Sequence, residues 1–378
     1  MEFQKGAITL SPSNIIDGEM DYNKCTYISW DKYEESPEIE VLEGDILLVK
    51  TGSSFGKCAL VDKLPWKSTI NPQFVILKYI SINEQYLTWV LQSSYARNNY
   101  NDFVLGTAIP TFTQVVLGNM PIPLPPISEQ LKIVNKLKHL FLSINSLENN
   151  KKSLCTLIKE SKSKVLDLAI HGKLVPQDPT DEPAAELLKR INPKAEITCD
   201  NGHYQKLPEG WCLTTLGNIG NWQSGATPSR LQKEYYGGNI PWLKTGDLND
   251  GIITNIPEFI TEKALAETSV KLNPSGSVLI AMYGATIGKV GVLSFPATTN
   301  QACCACVDYK LEQMYLFYFL LANRENFIRM GGGGAQPNIS KEKIINTVIS
   351  LPPLKEQHRI VAKIEEIFAQ LDAIETSL

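Results

Sequence analysis

A chain of 378 residues exceeds what one ordinary hydrophobic core organises and points to two or more domains. With 43% apolar and 20% charged residues it has the composition of a globular protein, and a net charge of −4 gives no global attraction to nucleic acid or membrane. No apolar run reaches the length of a transmembrane helix, and MEFQKGAITL lacks the layout of a signal peptide, so a cytoplasmic protein without membrane contact is expected. Eight irregularly spaced cysteines then read as reduced thiols rather than a disulfide framework.

From the N-terminus, residues 45–50 and 74–79 are short, apolar and bounded by Gly, Asn or Pro, which predicts strands. Between them, 52–56 reads as a turn, and 84–99 as a helix of mixed aliphatic and aromatic residues. LPPISEQLKIV at 124–134 opens a long helix, since proline is tolerated in a first turn. Its Ile133, Leu137, Leu140, Ile144 and Leu147 follow the 4, 3, 4, 3 spacing of a coiled-coil seam, continued by Leu154, Ile158, Val165 and Leu168. Gly172 and Pro176 end that helix, a short helix runs to Ile191, and 192–206 is a polar linker. Strands are predicted again at 278–282 and 303–309, around a turn at 284–288, with a helix at 312–329. LPPLKEQHRIV at 351–361 opens a second seam through Ile360, Ile364, Ile367, Leu371 and Ile374.

The second half of this order repeats the first. GDILLVKTGSSFGKCAL (44–60) aligns with GSVLIAMYGATIGKVGV (276–292), GTAIP (106–110) with GGAQP (333–337), and LSPSNIIDG (10–18) weakly with LKTGDLNDG (243–251), at offsets of 227 to 233 residues. A period that long excludes a solenoid and indicates a duplicated domain-plus-helix. The fold class expected is α+β: two mixed domains, 1–123 and 207–350, each followed by a helix, 124–175 and 351–378, with 176–206 as linker. The helices are expected to pair as an antiparallel coiled coil. The first copy opens where the second has reached about Tyr235, so domain 1 is expected to be N-terminally short, and the second helix (~37 Å) shorter than the first (~60 Å).

No catalytic constellation stands out. GATIGKVG (284–291) has three residues where a phosphate-binding P-loop needs four, and Val290 follows its lysine where Ser or Thr belongs; Cys58 follows Lys57 in the first copy. The alternative is a tight turn whose lysine and hydroxyls contact DNA phosphates and base edges. That nominates Lys50, Thr51, Ser53, Ser54 and Lys57 in the first copy, and Tyr283, Thr286 and Lys289 in the second. Gln336 and Asn338 have the chemistry to read an adenine edge. CCAC (303–306), Cys199 and His203 number enough ligands for zinc, but on a strand Cys303 faces away from Cys304 and Cys306, so no metal is expected. NPQF (71–74) departs from the NPPF-type tetrapeptide of amino-methyltransferases at Gln73.

LPEGW (207–211), GATPS (225–229), IPWLKTGDL (240–248), the 276–291 block, TNQACCAC (299–306), GGAQPNIS (333–340) and LPPLKEQHRIVAKIEEIF (351–368), with AIHGKLV (169–175), together resemble the specificity subunits of type I restriction–modification enzymes. The resemblance covers nearly the whole chain. It implies a non-catalytic protein whose two domains each read half of a bipartite double-stranded DNA site, with helices that set the spacing. It adds Thr227, Ser229, Lys244 and Thr245 to the candidate DNA contacts. It implies two modification subunits and restriction subunits as partners, which carry S-adenosylmethionine, ATP and magnesium, none being held by this chain. The alternative is a truncated or silent copy that binds modification subunits but reads one half-site or none.

Overall fold

The computed structural model describes residues 6–102, 111, 113–195, 197, 207–332 and 338–378. The chain forms two compact units, Met1–Asn149 and Asn150–Leu378. Both are α+β.

Unit 1 contains strands β1 (Ala7–Leu10), β2 (Thr26–Ile28), β3 (Glu40–Val41), β4 (Ile46–Val49), β5 (Cys58–Leu60), β6 (Ser68–Ile70) and β7 (Phe74–Leu77). A four-stranded sheet has the order β2-β1-β6-β3, with β1 and β6 parallel and the outer pairs antiparallel. A three-stranded antiparallel sheet has the order β5-β4-β7. Helices α1 (Glu84–Gln92) and α2 (Ser94–Asp102) follow. The apolar run ILLV of β4 is buried on both faces because its side chains alternate. Leu47 and Val49 enter the core shared with Ile8 and Leu10, while Ile46 and Leu48 pack with Leu87, Leu91 and Tyr100 of the helices. The three-stranded sheet is thus a middle layer. The helix expected over 84–99 is broken at Ser93, whose hydroxyl donates to the Val90 carbonyl at 2.6 Å and competes with the helical ladder.

Unit 2 repeats the plan. The long helix α3 (Ile127–Ile170) runs from unit 1 into it, and the short helix α4 (Ala184–Ile191) follows. Strands are β8 (Cys212–Thr215), β9 (Asn221–Ser224), β10 (Tyr236–Leu243), β11 (Gly251–Ile253), β12 (Phe259–Ile260), β13 (Leu272–Asn273), β14 (Val278–Ala281), β15 (Val290–Leu293), β16 (Ala297–Thr299), β17 (Cys303–Val307) and β18 (Val348–Leu351). The sheet β12-β10-β16-β13 has the same order and strand directions as β2-β1-β6-β3. The triplet β15-β14-β17 matches β5-β4-β7 and is widened by β9 and β11. Helices α5 (Gln313–Ala322) and α6 (Arg324–Met330) match α1 and α2, and α7 (Leu354–Thr376) ends the unit. The break here falls at Asn323, whose amide donates to the Phe319 carbonyl at 2.9 Å.

The twice-written LPP…EQ has one job in both places. Gln357 is fully buried near the start of α7; its side-chain oxygen accepts from the Glu312 backbone N–H at 2.9 Å, and its amide donates to the Pro352 carbonyl at 2.9 Å. Gln130 accepts from the Asn83 N–H at 3.0 Å and donates to the Pro125 carbonyl at 2.8 Å. Asn83 and Glu312 are the N-caps of α1 and α5, so each glutamine ties a helix start to the helix start of its own domain. Neighbouring contacts repeat as well. Tyr86 donates to the Pro123 carbonyl, and Tyr315 to that of Ser350, both at 2.9 Å. Edge-to-face pairs Trp89–Phe141 and Tyr318–Phe368 have ring centroids 5.6 and 5.9 Å apart.

Within unit 2, α7 runs antiparallel to the second half of α3. Lys162 pairs with Asp372, and the Lys151 ammonium donates to the Leu378 carbonyl oxygen at 2.6 Å. Ile360 and Ile364, both fully buried, share a core with Leu166 and Ala169 of α3, and Phe368 packs against it; Ile367 and Leu371 are half-buried and Ile374 is exposed. Burying each such aliphatic side chain contributes roughly 1.5–3 kcal/mol. The expected seam Ile133, Leu137, Leu140, Ile144 and Leu147 has a different setting. Ile133 packs on Tyr86 and Val90 of unit 1, Leu137 is half-buried, and Leu140, Ile144 and Leu147 are exposed. The α7 register is set instead along 151–169, where the Lys162 ion pair and the Leu166–Ala169 face lie. Among the described residues no helix is long and apolar enough to cross a membrane.

Candidate nucleic-acid interface

The turn joining β14 to β15 is tight for a local reason. Gly288 donates to the Ala281 carbonyl at 3.1 Å while Lys289 accepts from the Ala281 N–H at 2.9 Å, and Ile287 N–H reaches the Gly284 carbonyl. Gly288 has φ +76, and a Cβ there would meet the Cγ of Arg324 at 2.9 Å, so both conformation and space call for glycine. The turn is braced from outside. The Arg324 guanidinium donates to the Gly288 carbonyl at 3.0 Å and pairs with Asp250, whose carboxylate also accepts from Val290 N–H at 3.1 Å. Unit 1 repeats the backbone pattern: Gly56 donates to the Val49 carbonyl at 2.9 Å, and Val49 to that of Lys57 at 2.8 Å. Its brace is aromatic, Phe55 edge-on to Tyr100.

A second segment closes on each turn. Tyr283 forms an isolated antiparallel bridge with Asn338, and Thr51 forms the corresponding bridge with Thr111, their hydroxyls 2.8 Å apart. Two candidates expected from sequence, Tyr283 and Asn338, are therefore brought together; both are exposed, and Asn338 is anchored by the fully buried Ile339. Thr111 is no candidate by residue type alone, although its alignment with Asn338 after the paired prolines is a usable signal. Gln336 lies outside the described residues, as do Cys199, His203 and the GTAIP stretch.

The candidates differ in what their charge is free to do. Lys57 is exposed and Lys289 half-exposed, and neither has an acid at ion-pair distance among the described residues. Lys50 is half-buried, its N–H donating to the Gln73 carbonyl at 2.8 Å, and Ser53 is exposed beside the half-buried Ser54. Thr286 spends its hydroxyl on the Tyr283 carbonyl at 2.8 Å. Away from the turn, Lys244 pairs with Glu258 at 2.8 Å. Glu258 also holds Arg230, which lies over the rings of Tyr236 and Trp242 at 4.3 and 5.1 Å. The hydrogen bond from Arg230, then that from Lys244, holds the Glu258 carboxyl below the usual range. Thr227 bonds Gln301, Ser229 is exposed, and Thr245 starts a single helical turn. The Arg230 stack has no sequence signature, because its rings come from β10 and its acid from the segment before β12.

The cysteine cluster is core. Cys304 and Cys306 face the core that holds Trp222 and Tyr315, Cys303 faces the core of Leu243 and Leu279, and burial pushes the Cys304 thiol up to about 12. Among the described residues no group of His, Cys, Asp or Glu is arranged to hold a metal. NPQF makes a local turn between β6 and β7, with Gln73 N–H on the Asn71 side chain at 3.0 Å.

Comparison with known proteins gives a consistent picture. The family model for the type I restriction modification DNA specificity domain matches residues 4–155 and 208–378. The specificity subunit of the Escherichia coli enzyme EcoR124I/EcoR124II is 30% identical over 171 residues, 43% of this chain and 41% of that subunit. That of the Methanocaldococcus jannaschii enzyme MjaIX is 32% identical over 161 residues, 41% of this chain and 37% of that subunit. This chain thus spans about two fifths of these relatives' lengths, whereas the EcoKI subunit of Escherichia coli K12 is 24% identical over 96% of this chain and 75% of its own. The crystal structure of the HsdS subunit from Thermoanaerobacter tengcongensis superposes with a TM-score of 0.63 at 20% identity, covering 98% of this chain and 85% of that one.

Proposed function

The chain belongs to the type I restriction modification DNA specificity domain family, and on that premise we propose that it reads DNA sequence for a multisubunit restriction–modification enzyme and does no chemistry itself. Each unit takes one half of a bipartite double-stranded site. The observation that carries this reading is the duplicated turn-and-bridge, Thr51 with Thr111 and Tyr283 with Asn338, each beside a lysine, Lys57 or Lys289, with no acid at ion-pair distance among the described residues. A lysine there suits a phosphate, and the exposed Tyr283 and Asn338 and the half-buried threonine pair have side chains that suit base edges. The helices set the spacing and dock modification subunits, two in number. Those subunits bring S-adenosylmethionine, and restriction subunits bring ATP and magnesium. Partner subunits then supply much of the counter-charge that a chain of net charge −4 lacks.

The test is methylome sequencing of a host expressing this chain with its modification subunit. A new split motif is expected, with Lys57→Ala and Lys289→Ala each reducing its modification. Absence of any new motif overturns the proposal, and a motif of one contiguous half reduces it to a reader of a single half-site.

A further inference from the structure

The short turn that leads from β6 into β7 recurs between β16 and β17. Asn71 N–H donates to the Leu10 carbonyl at 2.9 Å, and Asn300 N–H to that of Leu243, also at 2.9 Å. Each asparagine carbonyl accepts from the first residue of the next strand, Phe74 at 3.2 Å and Cys303 at 3.1 Å. The backbones match residue for residue, which makes Gln73 equivalent to the buried Ala302. The Gln73 carbonyl accepts from Lys50 N–H at 2.8 Å, and the Ala302 carbonyl from Met282 N–H at 2.7 Å. A polar side chain at this place therefore belongs to unit 1 alone, unlike the glutamine tie, which both units share.

In unit 1 the turn fixes which end of the Gln73 amide is left over. Asn71 Oδ1 accepts from Gln73 N–H at 3.0 Å, so the other terminal atom of Asn71 is its nitrogen. That nitrogen donates to Gln73 Oε1 at 3.0 Å. The glutamine oxygen is thus engaged, and Nε2 with its two hydrogens remains. Among the described residues Nε2 meets no acceptor. It lies beside Gly52, where a Cβ would stand 3.1 Å away, so the glycine leaves the amide uncovered. Gly52 follows Thr51, the residue that bridges Thr111. The unpaired amide therefore sits at the turn assigned to DNA above.

We propose that Gln73 is a specificity-determining residue of unit 1 that reads a guanine, and that Asn71 is the positioning residue that makes it a donor only. This inference rests on the DNA reading above. In the major groove guanine presents two neighbouring acceptors, N7 and O6, whereas adenine presents N7 beside an amino group. An unconstrained glutamine suits adenine, because its oxygen accepts from that amino group. With the oxygen held by Asn71, only the amide nitrogen is left, and its hydrogens match the two acceptors of guanine. Against adenine the same nitrogen sets donor against donor.

The experiment is methylome sequencing of a host expressing the full chain with its modification subunit, as wild type, Gln73→Ala and Asn71→Asp. Wild type is expected to require guanine at one position of one half-site. Gln73→Ala is expected to lower discrimination at that position by roughly 5- to 150-fold, the range for one lost bidentate contact, with every other position unchanged. In Asn71→Asp the carboxylate still accepts from Gln73 N–H, so the turn is kept, but it has no hydrogen for Gln73 Oε1. The amide then turns over and its oxygen faces out. The preference at the same position is expected to move to a base with an amino group, adenine or cytosine. Equal loss of modification at every site in either variant assigns the pair a merely structural role and overturns the proposal. An unchanged motif in either variant, or an altered position that is an A·T pair in wild type, overturns it as well. In all these cases the wild-type split motif still upholds the DNA reading, whereas the absence of any wild-type motif overturns both.

Discussion

Replacing Gln357 by alanine removes two hydrogen bonds at once and leaves no water-accessible substitute, because the side chain is fully buried. The Glu312 N–H and the Pro352 carbonyl both lose their partner. A net hydrogen bond contributes about 1 kcal/mol, and an orphaned buried group costs about 1–3 kcal/mol, so the two groups amount to roughly 2–6 kcal/mol. For a unit the size of Asn150–Leu378 each kcal/mol moves the midpoint by about 2–4 °C, which gives roughly 4–24 °C. The assay is calorimetry of wild type and Gln357→Ala, with hydrogen exchange at the Glu312 amide as local readout. That amide is expected to lose protection before its neighbours in α5. A midpoint within about 1 °C of wild type, with Glu312 still protected, would refute the tie as the device that holds α7 on its domain. Gln130→Ala makes the same test in unit 1 at the Asn83 amide.

Lys289→Ala is expected to weaken DNA binding without loss of circular dichroism signal and to reduce the salt slope by about 1, the signature of one lost phosphate contact, read by salt-controlled titration. Gly288→Ala forces an L side chain to φ +76 against Arg324 and is expected to destabilise unit 2 by about 1–2 kcal/mol in urea unfolding. Burial raises the Glu356 carboxyl above its ordinary 4.5. The folded state therefore holds that proton more tightly than the unfolded chain. Its contribution is full below 4.5 and is lost as pH rises through the raised folded value, so a stability decline beginning near pH 4.5 should flatten in Glu356→Gln, measured by urea midpoints across pH.

Duplication, fold class and the two long helices were legible because they rest on periodicity and repeated words. The strands around the turns were legible as apolar runs, and each is found a residue or two shorter than predicted. What escaped the sequence were features assembled from distant segments. The glutamine tie joins α7 to the N-cap of α5, and the Arg230 stack draws on three segments. The seam offered no way to tell a heptad residue that is packed from one that is not. Ile364 and Leu137 occupy equivalent positions in the same pattern, and one is fully buried while the other is half-buried. Burial depends on which neighbour arrives, and periodicity carries no such information.

The middle of α3 has a thermodynamic consequence. Residues 138–154 are exposed throughout, and the stretch FLSINSLENN (141–150) has three asparagines and two serines, poor helix formers. Beyond Phe141 against Trp89 it has little side-chain burial to add, so its opening free energy is set mainly by backbone propensity and sits low on the scale for the chain. The longest helix among the described residues therefore has a soft centre. Amide exchange at 141–150 is a built-in gauge: fast in the bare chain, and slowed by any subunit that comes to lie along it.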